Sequence, residues 1–176
     1  MVYSGWDYGK RRFDVVPAGY MASTRLHDIV SGKLVTNNVT DTVQAGLGMI
    51  LVDFGGTANI RRYRLPNAST DTANFLGVLV FDASNYRTPL QPLRSHTSED
   101  MTNVVRMGDI RVITASAIPA NSKVYCIYSE SGAEKVGMFK ATAGANSFEV
   151  KNAKWGEVTT AAGVATLELL SAPNQA

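Results

Sequence analysis

A chain of 176 residues is long enough to bury a sizeable core and fits one domain, or one domain carrying an extended arm. Charged residues make up only 18%, while Gly, Ala, Thr, Ser and Asn abound, a balance that favours strands joined by tight turns over long solvated helices. A formal net charge of +2 is too small to make nucleic acid the default partner, and no run of about eighteen apolar residues offers a membrane span.

Residues 1–70 carry eight Lys or Arg against five acids, and residues 71–176 carry nine against ten, so the front of the chain is the basic part. The opening MVYSGWDYGKRRFDVV lacks the apolar stretch of a signal peptide, which points to a chain made in a cytosol. Residues 1–25 follow neither the helical nor the strand period. They are rich in aromatic, glycine and basic residues, contain Pro17 and Gly19, and read as an extended N-terminal arm ahead of a single β-rich domain at 26–176.

Short apolar runs between turn signals then follow in order. DIVSGKLVT (28–36), GMILVDF (48–54), NIRRYRL (59–65) and FLGVLVFD (75–82) each have strand length and strand composition. TNNVTD, GGTAN and PNASTDTAN separate them as turns. Pro89 and Pro92 interrupt the pattern. Residues 95–106 offer the one short helical turn, with Ser95 or Ser98 as cap and Glu99 and Asp100 at its start, although Val104 and Val105 favour strand.

In DIRVITA (109–115), Ile110, Val112 and Thr114 share one face, and KVYCIYS (123–129) alternates likewise. KVGMFKA, NSFEV and VATLELL complete the series, with SESGAE, TAGAN and KWGEVTTAAG as the connections. Strands at this spacing predict an all-β fold, a β-sandwich or a β-barrel of jelly-roll-like kind.

Groups that carry chemistry are sparse. His27 and His96 stand far apart without Cys or carboxylate at ligand spacing, so neither a zinc site nor any other metal or cofactor is expected. Asp53, Asp82, Asp109, Glu149 and Glu168 are scattered singly, no Gly-x-Ser-x-Gly occurs, and an enzyme is not expected. The Gly-x-Gly at 46–48 lacks a third glycine and leads into a strand where a nucleotide loop needs a helix. Asn38-Val39-Thr40 and Asn67-Ala68-Ser69 match the glycosylation pattern but mean little without a secretion signal. Cys126 is the single cysteine and sits in an alternating run, hence on a buried strand face; Trp155 reads as a core or interface residue rather than a sugar platform.

Two basic clusters remain, Lys10-Arg11-Arg12 and Arg61, Arg62, Arg64. On a strand, Arg62 and Arg64 share a face opposite Arg61, Tyr63 and Leu65. They serve either as charges that keep a sheet edge from aggregating or as contacts to an acidic surface or nucleic acid.

From Pro17 to Leu170 the order of elements resembles the cement or decoration proteins of tailed bacteriophages. The residues that carry the resemblance are PAGYMA, GLGMILVD, FLGVLVFD, then MGDIRVI with a proline-containing turn and KVYCIY, and finally AKW and AGVATLEL. It implies a β-rich protein on the outer surface of a virion head, assembled in the bacterial cytoplasm and stabilising contacts between subunits of the major capsid protein. It also implies a homo-oligomer, a trimer first and a dimer second, without membrane or direct nucleic-acid contact. The alternative is another virion module: head completion, tail, or host or carbohydrate binding. On the capsid reading, Trp6, Tyr8, Phe13 and Tyr20 are the aromatic anchors of the arm, and Lys10, Arg11, Arg12, Arg61, Arg62 and Arg64 pair with acidic groups on the shell or on a neighbouring protomer.

Overall fold

The computed structural model describes residues 18–22, 27–36, 42–55, 60–81, 95–97 and 100–170. Its elements are β1 (Asp28–Leu34), β2 (Thr42–Gln44), β3 (Gly48–Gly55), β4 (Ile60–Arg64), a 3-10 helix (Ser69–Asn74), β5 (Phe75–Leu79), β6 (Ser95–Thr97) and β7 (Met101–Thr114). β8 (Tyr125–Ile127), β9 (Phe139–Lys140), β10 (Ser147–Glu149), β11 (Ala153–Trp155) and β12 (Gly163–Leu169) complete the order. The fold is all-β, as expected, and of the two architectures it is the barrel. Strands β1, β4, β3, β5 and β7 pair in that order and β7 returns to β1, which closes the sheet on itself.

Closure follows from one non-local contact. β1 lies parallel to β4, Lys33 opposite Arg62 and Leu34 opposite Tyr63, and antiparallel to β7 from Asp28 to Lys33. β4 is therefore an inner strand of the wall, paired with β3 on its other side, and not an edge that needs charges for protection. Leu34, Met49, Tyr63, Leu76, Leu79 and Val104 fill the barrel. Each such side chain contributes roughly 1.5–3 kcal/mol relative to exposure. Tyr63 lies against Gly32, where a Cβ would come within 2.3 Å of the tyrosine hydroxyl, and that hydroxyl donates to the Val30 carbonyl.

The second half of β7 leaves the barrel and pairs with β12, which pairs with β11, while β9, β8 and β10 extend the sheet on the other flank. A second core forms between this sheet and the outside of the barrel, from Ile50, Phe75, Val78 and Val105 on one side to Cys126, Phe139 and Phe148 on the other. Phe75 meets both Phe139 and Phe148 edge to face, with centroids 6.4 and 6.3 Å apart. Cys126 is fully buried, as its alternation predicts, and burial pushes its thiol well up from the ordinary value.

β7 serves both cores because its alternation switches. Val104 belongs to the barrel interior and Val105 to the second core, yet Ile110 and Val112 follow Val105 despite opposite parity. The register slips where Asp28 pairs with Met107 and Ile29 with Val105, leaving Arg106 as the extra residue of a bulge.

Residues 95–97 and 101–114 are strand rather than a helical turn, because Val104 and Val105 are β-branched and each fills a different core. The helical turn lies at Ser69–Asn74 instead, inside the stretch expected as a plain turn. There the Asp71 carboxylate accepts the amides of Asn67 at 2.8 Å and Ala68 at 3.2 Å.

Gly77 sits where β5 approaches β7 most closely. Its φ is +155°, and a Cβ there would stand 1.9 Å from the Val105 carbonyl oxygen. Gly77→Ala must push the two strands apart, so it is expected to cost about 2 kcal/mol or more in chemical denaturation. A loss within the error of the measurement would show that the strands give way freely.

Candidate interaction surface

The described residues present two surface features. The first is the segment 18–22, held against the body. Residues 18–22 run along β7: Gly19 donates its amide to the Arg111 carbonyl at 2.6 Å, Arg111 returns one to Tyr20 at 2.8 Å, and the Ala22 amide reaches Asp109 at 2.8 Å. Gly19 and Gly46, both with positive φ, lie back to back, and a Cβ on Gly19 would come 2.5 Å from that of Ala45. Tyr20 stacks on Phe81 with centroids 4.6 Å apart and remains 38% exposed. Of the expected aromatic anchors, Tyr20 thus stands on the surface of the body, held at a fixed place beside β7.

The second feature is the part of the barrel wall that the second sheet leaves uncovered. Register aligns Met101 on β7, Lys33 on β1, Arg62 on β4 and Asp53 on β3 in one cross-strand row. Arg62 donates Nε to Asp53 Oδ1 at 2.7 Å, and its second bond, from Nη2 to Oδ2, completes a bidentate pair. The hydrogen bond from Arg62 holds the Asp53 carboxyl below its usual range. Beside the row, Ser31 donates to Asn103 Oδ1 at 2.6 Å, and Ile29, Val52, Ile60 and Met101 are exposed large apolar side chains.

The three arginines of β4 thus go separate ways. Arg62 and Arg64 share the outer face, as alternation requires, but Arg62 lies in the exposed row and Arg64 is clamped to a buried acid. Arg64 donates Nη1 and Nη2 to the two Asp71 oxygens at 2.9 and 2.7 Å, and the Asp71 side chain is 6% exposed. Arg61 shares the inner parity of Tyr63. Burial pushes the Tyr63 hydroxyl up to about 12, with the Arg61 guanidinium acting against that rise. Trp6, Tyr8, Lys10, Arg11, Arg12 and Phe13 lie outside the described residues.

Sequence reasoning did not single out Ile29, Val52, Ile60 or Met101. Ile29 alternates with the buried Val30, a signal that could have placed it outside, but Val52 is turned out by a register shift in β3 that no pattern announces. Trp155, read as core or interface, packs against the second core and donates Nε1 to the Lys123 carbonyl at 3.0 Å.

No group of three or more His, Cys, Asp or Glu among the described residues is placed to hold a metal ion. No helix among them is long and apolar enough to cross a membrane. What the body offers is a closed barrel braced by a second sheet, with the segment 18–22 anchored on β7 and part of the barrel wall uncovered. The family model described as structural cement protein (E217 gp24/Pam3 gp6) matches residues 8–170, and the chain belongs to that family. A chain in the structure of the capsid of Myoviridae phage XM1 is similar in fold, with a TM-score of 0.64 and 19% identity over 88% of this chain and 89% of that one. No curated protein matches the chain.

The Arg64 clamp gives a pH-dependent expectation. Burial works to raise the Asp71 carboxyl, but hydrogen bonds from Arg64, Asn67 and Ala68 outweigh it and hold the group below the ordinary carboxylate range. A carboxyl lowered on folding stabilises fully above its unfolded pKa of about 3.9, and that contribution fades as pH falls through the lower folded value. Asp71→Asn is expected to lose about 2 kcal/mol at neutral pH, and melts at falling pH should show its gap to the parent protein closing. A gap that stays constant with pH would refute the charged clamp.

Proposed function

We propose that the protein binds the outer surface of a phage head and ties neighbouring major capsid protein subunits together. The observation that carries this reading is the family match over residues 8–170, supported by the similarity of fold to a capsid chain.

On this reading the arm, residues 1–25, extends over a neighbour from its anchor on β7. Trp6, Tyr8 and Phe13 insert as aromatic contacts and Tyr20, pinned beside β7, adds its exposed face; aromatic side chains give large buried area for little conformational entropy. Lys10, Arg11 and Arg12 pair with acidic groups on the shell. Arg61, Arg62 and Arg64 belong to the same interface set. Of these, Arg62 is the best placed to touch a partner, because its row with Met101 and Lys33 lies on the uncovered wall, whereas Arg64 acts through the clamp on Asp71. The protein acts without catalysis or cofactor, as a homo-oligomer, a trimer first and a dimer second, since local symmetry axes of a shell invite copies to meet.

Such binding stabilises the shell by mass action. At a free concentration of about 100 times Kd, each occupied site adds about 2.7 kcal/mol against dissociation of the subunits it bridges.

The test is to mix the purified protein with empty shells of its candidate phage, before and after expansion, and pellet them. Saturable binding in a simple ratio to the capsid subunit is expected. Removal of residues 1–16 should abolish binding while leaving the melting curve unchanged. No binding to either form of the shell would reject the capsid role, and full binding by the truncated protein would reject the arm's part in it.

A further inference from the structure

The connections on either side of β9 bring together three side chains that the capsid role does not use. Lys140, at the end of β9, has only 6% of its side chain exposed, and Glu134 has 29%. The Lys140 Nζ donates to Glu134 Oε1 at 3.1 Å, to Glu134 Oε2 at 2.9 Å and to Asn146 Oδ1 at 2.8 Å. Asn146 donates Nδ2 to the same Glu134 Oε2 at 2.6 Å and to the Ser129 carbonyl at 3.0 Å. Amine, carboxamide and carboxylate thus form a closed triangle in which the carboxylate touches both other groups.

We propose that Lys140 and Asn146 become joined in the folded protein by an intramolecular isopeptide bond, with Glu134 as the catalytic acid and base. Attack of an amine on a carboxamide needs the nitrogen held beside the carbonyl, a base for the ammonium proton and an acid for the departing nitrogen. The first requirement is met by the contact of Nζ with Oδ1, and holding reactants together removes much of the entropic barrier. The other two are met by one carboxyl group within hydrogen-bond reach of both nitrogens. Hydrogen bonding from Asn146, then from Lys140, keeps Glu134 below the ordinary carboxyl range, so it is ionised; that makes it a weak base, and its part in the proton transfers rests on its contact with both nitrogens.

The step balances without an outside reactant. Glu134 takes a proton from the Lys140 ammonium, and the free amine forms the Nζ–Cγ bond with Asn146. Glu134 then protonates Nδ2, and the Cγ–Nδ2 bond breaks. The nitrogen departs as ammonia and takes up the second proton lost from Nζ, so that one ammonium ion leaves and Lys140 gives up its charge.

The surroundings suit such a reaction. Gly144 forms a wall of the site, and a Cβ there would stand 2.7 Å from Nζ and 3.0 Å from Asn146 Oδ1. Ser147 holds that wall in place, accepting the Gly144 amide at 3.1 Å and donating its own amide to the Gly144 carbonyl at 3.2 Å. The order β9-β8-β10 means that the bond would reach across β8 and fasten the lead-in of β10, the end strand of that flank of the sheet. It would enclose only residues 141–145, so its effect is to keep that strand docked rather than to restrict the unfolded chain.

The test is the mass of the full-length protein as purified. The expected result is a deficit of one ammonia molecule, with trypsin failing to cut after Lys140, so that residues 136–151 emerge as one peptide carrying the deficit. Lys140→Arg and Glu134→Gln are each expected to restore the sequence mass, and Glu134→Gln restores cleavage after Lys140 as well. A parent protein of full sequence mass overturns the proposal, and this outcome needs no variant to fold. A deficit that leaves cleavage at Lys140 intact also overturns it, since it would reflect ring closure at Asn146 alone.

Discussion

A strand has two hydrogen-bonding edges and two faces, and β7 uses all of them. Its first half closes the barrel against β1 and β5, and its second half carries β12, the start of β9 and the anchored segment 18–22. The bulge at Arg106 lets one continuous strand face two cores in turn, Val104 into the barrel and Val105, Ile110 and Val112 into the layer between barrel and sheet. Without that switch, either the barrel would lose Val104 or the second sheet would present Ile110 and Val112 to solvent, a loss of several kcal/mol on the usual scale for apolar burial. The anchor of the N-terminal lead inherits its position from the same strand.

Strands β1, β3, β4, β5 and β12 were legible because each is a short run of strand length and composition whose ends carry turn residues. Ile110, Val112 and Thr114 lie on the buried face that their alternation indicated. β7 was legible only in its second half. The bulge breaks the period at Arg106, so the two halves read as different elements, and polar neighbours at 98–100 mimicked the start of a helix. Closure was out of reach, since the β1–β4 contact depends on the whole path of the chain between them and leaves no mark in either segment.

The surface shows the same division. That Arg62 and Arg64 share a face follows from alternation, but what each arginine meets does not. Asp53 reaches Arg62 across the β3–β4 pair, and Asp71 reaches Arg64 because a 3-10 turn, not an open loop, follows β4. Glu134 and Asn146 fell within SESGAE and TAGAN, stretches rich enough in turn residues to be read as connections alone. Their meeting at Lys140 depends on β8 and β9 pairing to bring the two turns to the same side.

These internal pairings bear on how a cement protein can bind. The net charge is only +2, and among the described residues Arg62, Arg64, Arg111, Lys123, Lys135 and Lys154 each have an acidic partner within the chain. Those charges shape the body first, and an exposed pair such as Arg62 with Asp53 must shed water before it can be covered, so it adds little to affinity by itself. If the protein binds a shell as proposed, the attraction has to come from elsewhere. Area from Ile29, Val52, Ile60 and Met101 on the uncovered wall is one source, and the aromatic and basic residues ahead of Ala18 are the other. On the capsid reading, the body holds the first source at fixed positions, and aromatic side chains with few rotatable bonds keep the entropic cost of docking low. On the same reading, the charges proposed for the arm, Lys10, Arg11 and Arg12, suit steering and register rather than holding, because held contacts in a shell under internal pressure need buried area that salt does not screen.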